Sequence, residues 1–127
     1  MELNGIEVKE IDVLDLDVRE KVEKIRNEYM NKFADSKRYK GTDIEKGKAM
    51  CDDVSDFVDK VFGDGVSKKV FQGRHNLRIA MEVFEAAIDY LNNQDKDFDD
   101  YSNKMRLKYT PLRTPLTCFV IMFYSIV

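Results

Sequence analysis

The spacing of hydrophobic positions changes along the chain and predicts a mainly helical protein with an extended N-terminal segment. Apolar and polar residues alternate over the first 16 positions, and Asn4-Gly5 is typical of a tight turn between two strands. From Asp17 onward the apolar residues recur every three or four positions, which is the period of an amphipathic helix. We therefore predict an extended arm or hairpin over residues 1–16 and a helical core over residues 17–93.

Three main helices and a short one are expected in this core. Asp17 with Glu20, and Thr42 with Glu45, have the spacing of a capping box, in which side chains satisfy the first free N–H groups of a helix. The second helix presents one apolar face and one acidic face. Its predicted apolar face comprises Ile44, Met50, Cys51, Val54, Phe57, Val58, Val61 and Phe62.

Glycines end the second helix and separate it from the last two. Gly63 and Gly65 follow it, and a short helix over residues 67–71 is ended by Gly73. The last helix, from Asn76 to about Asn92, is apolar on most of its circumference and must be covered on more than one side. It is either the central helix of a small bundle, or it presents one face to another copy or to a partner.

The C-terminal part of the chain has a different character. Residues 94–114 form a polar and then basic connector, and residues 115–127 form an apolar tail. Because a membrane-spanning helix needs about 20 apolar residues, this tail of 13 that begins with Pro115 is too short to cross a bilayer. Its β-branched and aromatic residues favour a buried C-terminal strand. All 127 residues are expected to form a single domain.

The composition and the N-terminal sequence argue against a nucleic-acid-binding protein and against a secreted protein. The chain carries 21 Lys and Arg against 24 Asp and Glu, so it lacks the basic excess typical of a nucleic-acid-binding domain. The N-terminus has no basic segment followed by an apolar stretch, which argues against a secretory signal. We expect an intracellular protein with reduced thiols that contacts neither membrane nor nucleic acid.

The sequence offers no catalytic or metal-binding pattern. His75 is the only histidine, which excludes a multi-histidine metal site. The acidic run that begins at Asp95 resembles the start of a calcium-binding loop, but Asp100 stands where the turn needs glycine and Arg106 where it needs glutamate. We therefore expect no metal, no cofactor and no enzymatic activity.

Several segments together resemble small tail assembly chaperones of long-tailed bacteriophages and prophages of Gram-positive bacteria. In residues 54–73 an acidic helix ends in Phe-Gly-Asp-Gly, and a short helix then ends in Phe-Gln-Gly. Asn76-Leu77 and Phe84-Glu85 continue this pattern. The arm over residues 3–7 and the late segment over residues 108–113 also look like the corresponding parts of such proteins.

The resemblance implies a non-enzymatic helical protein in the host cytoplasm. It would bind the tape measure protein and keep it soluble while tail tube subunits assemble, with the tail tube protein as a further candidate partner and with self-association into a homo-oligomer. Hydrophobic grooves that accept a helix face would suit this role, and Met81, Val83, Phe84 and Ile88 are the candidate lining. The alternative is that all four side chains fill the core.

Two alternative functions remain open, and the C-terminal end differs from the pattern of the family that the chain resembles. The chain is alternatively a structural tail or head-tail connector component that forms an oligomer, or, less favourably, a nucleic-acid-binding regulator that uses residues 104–113. From Leu112 onward the chain is apolar where the resemblance implies a polar, basic end. This end arises either from a shifted reading frame or as a native strand that packs on the arm or exchanges between subunits.

Overall fold

A computed structural model describes residues 1–109 and confirms a mainly helical bundle with an N-terminal hairpin. The chain divides into two units, Met1–Asp95 and a second one that begins at Lys96. The predicted apolar tail, with its strand and its proposed frame shift, lies outside the described residues. The elements are β1 (Glu2–Leu3), β2 (Ile6–Glu7), α1 (Leu16–Ala34), a 3-10 turn (Ser36–Arg38), α2 (Asp43–Phe62), α3 (Val66–Phe71) and α4 (Leu77–Tyr109).

The N-terminal arm is a hairpin fastened to the helices. Strands β1 and β2 pair in antiparallel fashion with Leu3 opposite Ile6, and the backbone turns through Asn4 and Gly5 at φ values of 51° and 79°. The Asn4 side-chain amide donates to the carbonyl oxygen of Val70 in α3 at 2.9 Å. Leu3 is buried, and so are three apolar residues of the arm that follows: Val8, Ile11 and Val13.

Helix α1 begins slightly earlier than predicted. The side chain of Asp15 accepts from the backbone N–H groups of Asp17 at 3.1 Å and Val18 at 3.5 Å, so Asp15 is the N-cap. The predicted capping box of Asp17 with Glu20 is wrong, because Asp17 already lies inside the helix and donates to the cap.

Helix α2 has the predicted capping box. Thr42 Oγ1 accepts from Glu45 N at 3.2 Å, and Glu45 Oε1 accepts from Thr42 N at 2.8 Å. Ile44 does not join the buried face and is 71% exposed, because burial in α2 begins only at Cys51. The first two turns of α2 therefore contribute no buried side chain to the core.

Aromatic rings connect three helices in the core. Phe57 of α2 is fully buried, with Tyr29 of α1 at 5.7 Å and Phe84 of α4 at 5.0 Å between ring centroids. Phe33 of α1 packs on the same Phe84 at 4.7 Å. Edge-to-face pairs of this kind contribute about 0.5–1.5 kcal/mol each beyond the area they bury.

A buried carboxylate holds the connection between α1 and α2. Asp53 Oδ2 accepts from Arg38 Nη1 and from the Tyr39 hydroxyl, both at 2.6 Å, and Asp53 is 8% exposed. Burial raises the pKa of Tyr39 to about 12, and its hydrogen bond to the Asp53 carboxylate adds to this. The 3-10 turn is thereby fixed against α2.

Helix α4 is longer than predicted: it continues past Asn92 and covers Leu77–Tyr109. Polar residues follow Asn92, but no glycine or proline occurs between Leu77 and Tyr109, so nothing in the sequence breaks the helix. Asp95, the last residue of the first unit, accepts a hydrogen bond from Arg26 of α1 at 2.8 Å. This residue of the acidic run therefore joins α4 to α1. No helix within residues 1–109 is long and apolar enough to cross a membrane.

Candidate partner-binding groove

The four residues predicted to line a partner surface lie on two different sides of α4. Val83 is 3% exposed and belongs to the buried line of the helix with Ala80, Ala87 and Leu91. Met81, Phe84 and Ile88 are half-buried on another side of the helix, where Phe84 packs on Phe33 of α1 and Phe57 of α2. Val83 is therefore separated from the other three side chains around the helix, and binding of a partner by these residues stays a prediction.

A groove follows the other flank of α4, between this helix, α3 and the N-terminal hairpin. It consists of two adjoining depressions of about 300 and 230 Å³ that share Asn4 and Ile79 in their walls. We call it the Asn4 groove. Its apolar walls are Val70, Phe71, Ile79, Val83 and Ala86.

The groove has the length of a short helix. Asn76, Ile79, Val83 and Ala86 line it from α4 at spacings of three, four and three residues, so they lie along one side of the helix. From Asn76 to Ala86 the helix rises about 15 Å. Val70 and Val83 are buried, whereas Ile79 is half-buried and Ala86 is exposed, so apolar surface is accessible along this length.

The rim of the groove is polar and contains unusual backbone. Asn4, Gln72, Arg74 and Glu82 are exposed around it. Asn4 and Gln72 are the two non-glycine residues with positive φ in the described part of the chain, at 51° and 53°. Asparagine tolerates this conformation, but glutamine rarely adopts it, and such positions concentrate at functional sites.

Local contacts explain how the rim is built. Asn76 caps α4, because its Oδ1 accepts from Ile79 N at 3.2 Å and its carbonyl oxygen from Ala80 N at 2.9 Å. Gln72 ends α3 by donating its backbone N–H to Lys68 O at 2.9 Å, and Gly73 follows with φ 74°. These local signals are visible in the sequence as turns.

The convergence of the groove was not visible in the sequence. Asn4 and Val70, which are joined by a hydrogen bond, lie 66 positions apart. Hydrophobic periodicity assigns residues to helices and faces, but it does not say which turns meet in space. The sequence therefore directed attention to the most apolar helix and missed the hairpin that forms the opposite wall.

The other candidate residues have structural contacts. His75 Nε2 lies 3.0 Å from Asp52 Oδ1 and joins the loop before α4 to α2 at an exposed position. Burial raises the pKa of the Cys51 thiol, which keeps it in the unreactive protonated form. Among the residues that the structure describes, no three His, Cys, Asp or Glu side chains are grouped so that they could hold a metal ion.

Comparison with known proteins identifies one family. A model described as a family of unknown function (DUF6673) matches residues 4–115, which include every residue of the Asn4 groove. No curated protein and no solved structure matches the chain significantly.

Proposed function

The chain belongs to this family of unknown function, DUF6673, and from its groove and its sequence resemblance we propose that it is a tail assembly chaperone of a phage or prophage. It binds the tape measure protein in the host cytoplasm and keeps it soluble until tail tube subunits assemble around it. The tail tube protein is a second candidate partner. The protein acts by binding alone and catalyses no reaction.

The observation that carries this proposal is the origin of the groove walls. Asn4 belongs to the arm over residues 3–7, Val70 and Gln72 to residues 54–73, and Asn76 to the start of α4. These are segments on which the resemblance to tail assembly chaperones rests. Their meeting at one open surface supports a shared binding function rather than three unrelated turns.

The shape and chemistry of the groove suit one face of an amphipathic helix. Such a helix offers apolar side chains at spacings of three and four residues, and a wall with the same period runs through Ile79, Val83 and Ala86. Arg74 and Glu82 on the rim provide one charge of each sign for polar residues beside that face. A long helical partner such as the tape measure protein would present many amphipathic faces of this kind.

Co-expression with the tape measure protein of the same genome tests the proposal. The wild-type chain should co-purify with it and raise its soluble fraction. Ala86→Arg places a long charged side chain in the groove at an exposed position, so the chain should fold and lose both effects. Ala34→Arg, at an exposed alanine that ends α1, is the matched control and should keep both.

Two results would contradict the chaperone function. One is a wild-type chain that neither binds the tape measure protein nor changes its solubility. The other is stoichiometric presence of the chain in purified particles, which would favour a structural tail or head-tail connector component. Equal binding by Ala86→Arg and Ala34→Arg would leave the chaperone function standing and move its site away from the groove.

A further inference from the structure

The Asn4 groove carries a single charge of opposite sign in each of its two depressions. Arg74 lines the depression at the start of α4, and Glu82 lines the one further along the helix. Among the described residues, no other titratable side chain lines either depression. Both side chains are exposed, and within residues 1–109 neither is paired with another side chain. The groove therefore has a basic end and an acidic end.

About two helical turns separate these two ends. From Asn76, two residues after Arg74, to Glu82 the helix rises about 9 Å. A partner helix that lies along the groove covers about 10 Å in seven residues, and residues seven positions apart lie on the same side of a helix. Two side chains with this spacing can therefore reach Arg74 and Glu82 at the same time.

The neighbouring charges of α4 leave the sign of the acidic end unchanged. Arg78 and Glu85 are exposed about one turn before and one turn after Glu82, and neither lines the groove. Because these two neighbours have opposite signs, their effects on a charge placed beside Glu82 offset each other. Glu82 therefore determines which charge is favoured there.

We propose that the groove selects helical segments of its partner that carry one acidic and one basic residue seven positions apart, with apolar residues between them on the same side. This inference rests on the proposed function and specifies which segments are bound. The acidic residue lies beside Arg74 and the basic residue beside Glu82, while the apolar residues contact Ile79 and Val83. Arg74 and Glu82 are thus specificity-determining residues.

Charge complementarity is what favours such a segment over other occupants. A segment with two acids at these positions would place one of them beside Glu82, and a segment with two bases would place one beside Arg74, so each meets a like charge. The chain's own apolar tail over residues 115–127 contains no Lys or Arg, so it lacks the basic side chain for the acidic end.

Labelled peptides and the full chain test this selection by fluorescence anisotropy. The peptides have about 18 residues, enough for a helix to form in water, and share one apolar face. They differ in the two residues seven positions apart, which are acid and base, two acids, or two bases, and the opposite face keeps the net charge equal. The wild type should bind the mixed peptide about three- to tenfold more tightly than either of the others, with a preference that shrinks as salt is added.

Charge reversal of the groove should exchange this preference. Glu82→Arg makes both ends basic and should favour the peptide with two acids, whereas Arg74→Glu makes both ends acidic and should favour the peptide with two bases. Since each variant gains affinity for one peptide, the change cannot come from a lost fold. Glu85→Arg, the same substitution on α4 outside the groove, is the matched control and should keep the wild-type preference.

Three outcomes would overturn the proposal. These are a wild type that binds no peptide or all three equally, variants that keep the wild-type preference, and self-association of the wild type that Ala86→Arg abolishes, which would make a second copy the occupant. Co-purification with the tape measure protein is measured separately. If it persists while the peptides are bound without preference, the chaperone function stands and the selection by charge fails. Peptide selection without binding of the tape measure protein would retain the groove and reject the proposed partner.

Discussion

Asp53 shows how one buried charge can hold a connection in place. Its carboxylate accepts hydrogen bonds from Arg38 and Tyr39, which lie in and just after the turn between α1 and α2. Removing the acceptor leaves the half-buried Tyr39 hydroxyl without this partner. We expect Asp53→Ala to lower the free energy of unfolding by about 1–3 kcal/mol, measured by urea denaturation.

Asp56 offers a matched control on the same helix. It is also an aspartate of α2, but its side chain is exposed. Asp56→Ala should change the free energy of unfolding by no more than about 0.5 kcal/mol. Equal effects of the two substitutions would show that the hydrogen bonds of Asp53 contribute no stability.

The same contact predicts a dependence of stability on pH. Burial alone would raise the pKa of Asp53, but the hydrogen bonds from Arg38 and Tyr39 outweigh it and hold the pKa below its ordinary value of 3.8. A carboxyl whose pKa is lower in the folded state stabilises the fold above the unfolded pKa, and this contribution is lost as the pH falls through the folded pKa. The stability difference between wild type and Asp53→Asn should therefore be full at pH 7 and shrink below about pH 4.

Among the helix ends, the sequence predicted some correctly and others wrongly, according to whether the signal is local. The Thr42 box was predicted correctly because both of its hydrogen bonds are local, within three residues. The end of α4 was misplaced because a run of polar residues after Asn92 looks like a loop, although it contains no residue that breaks a helix. The groove was missed because its walls meet only through contacts between distant segments such as Asn4 and Val70.

The end of α3 supplies a prediction at this scale. Gln72 adopts a left-handed conformation with φ 53° and ψ 35°, which costs a residue with a side chain about 1–2 kcal/mol. Glycine adopts it freely but loses about 0.5–1 kcal/mol through the greater entropy of the unfolded chain. We expect Gln72→Gly to raise the free energy of unfolding by about 0.5 kcal/mol, the difference between these two effects.

The same substitution inside a helix should have the opposite sign. Gln94 lies in the interior of α4, where glycine costs about 1 kcal/mol relative to good helix formers. Chemical denaturation of Gln72→Gly and Gln94→Gly side by side tests the conformational argument directly. Two destabilised variants would mean that the side chain of Gln72 makes a favourable contact that outweighs the strain of its backbone.

At the scale of the whole molecule, burial is distributed unevenly along α4. Its four buried residues, Ala80, Val83, Ala87 and Leu91, all precede the boundary at Asp95. Between Lys96 and Tyr109 the described side chains are exposed or half-buried. One continuous helix thus serves as core in the first unit and presents charged and aromatic surface in the second.

Hydrogen exchange should reveal this division within a single helix. Backbone amides of residues 80–95 are held by packing, so their exchange requires opening of the first unit, whereas amides of residues 96–109 open with the loss of few buried contacts. We expect the latter to exchange at least tenfold faster in dilute solution, measured by mass spectrometry of peptides. Uniform protection along α4 would contradict the uneven burial of the helix.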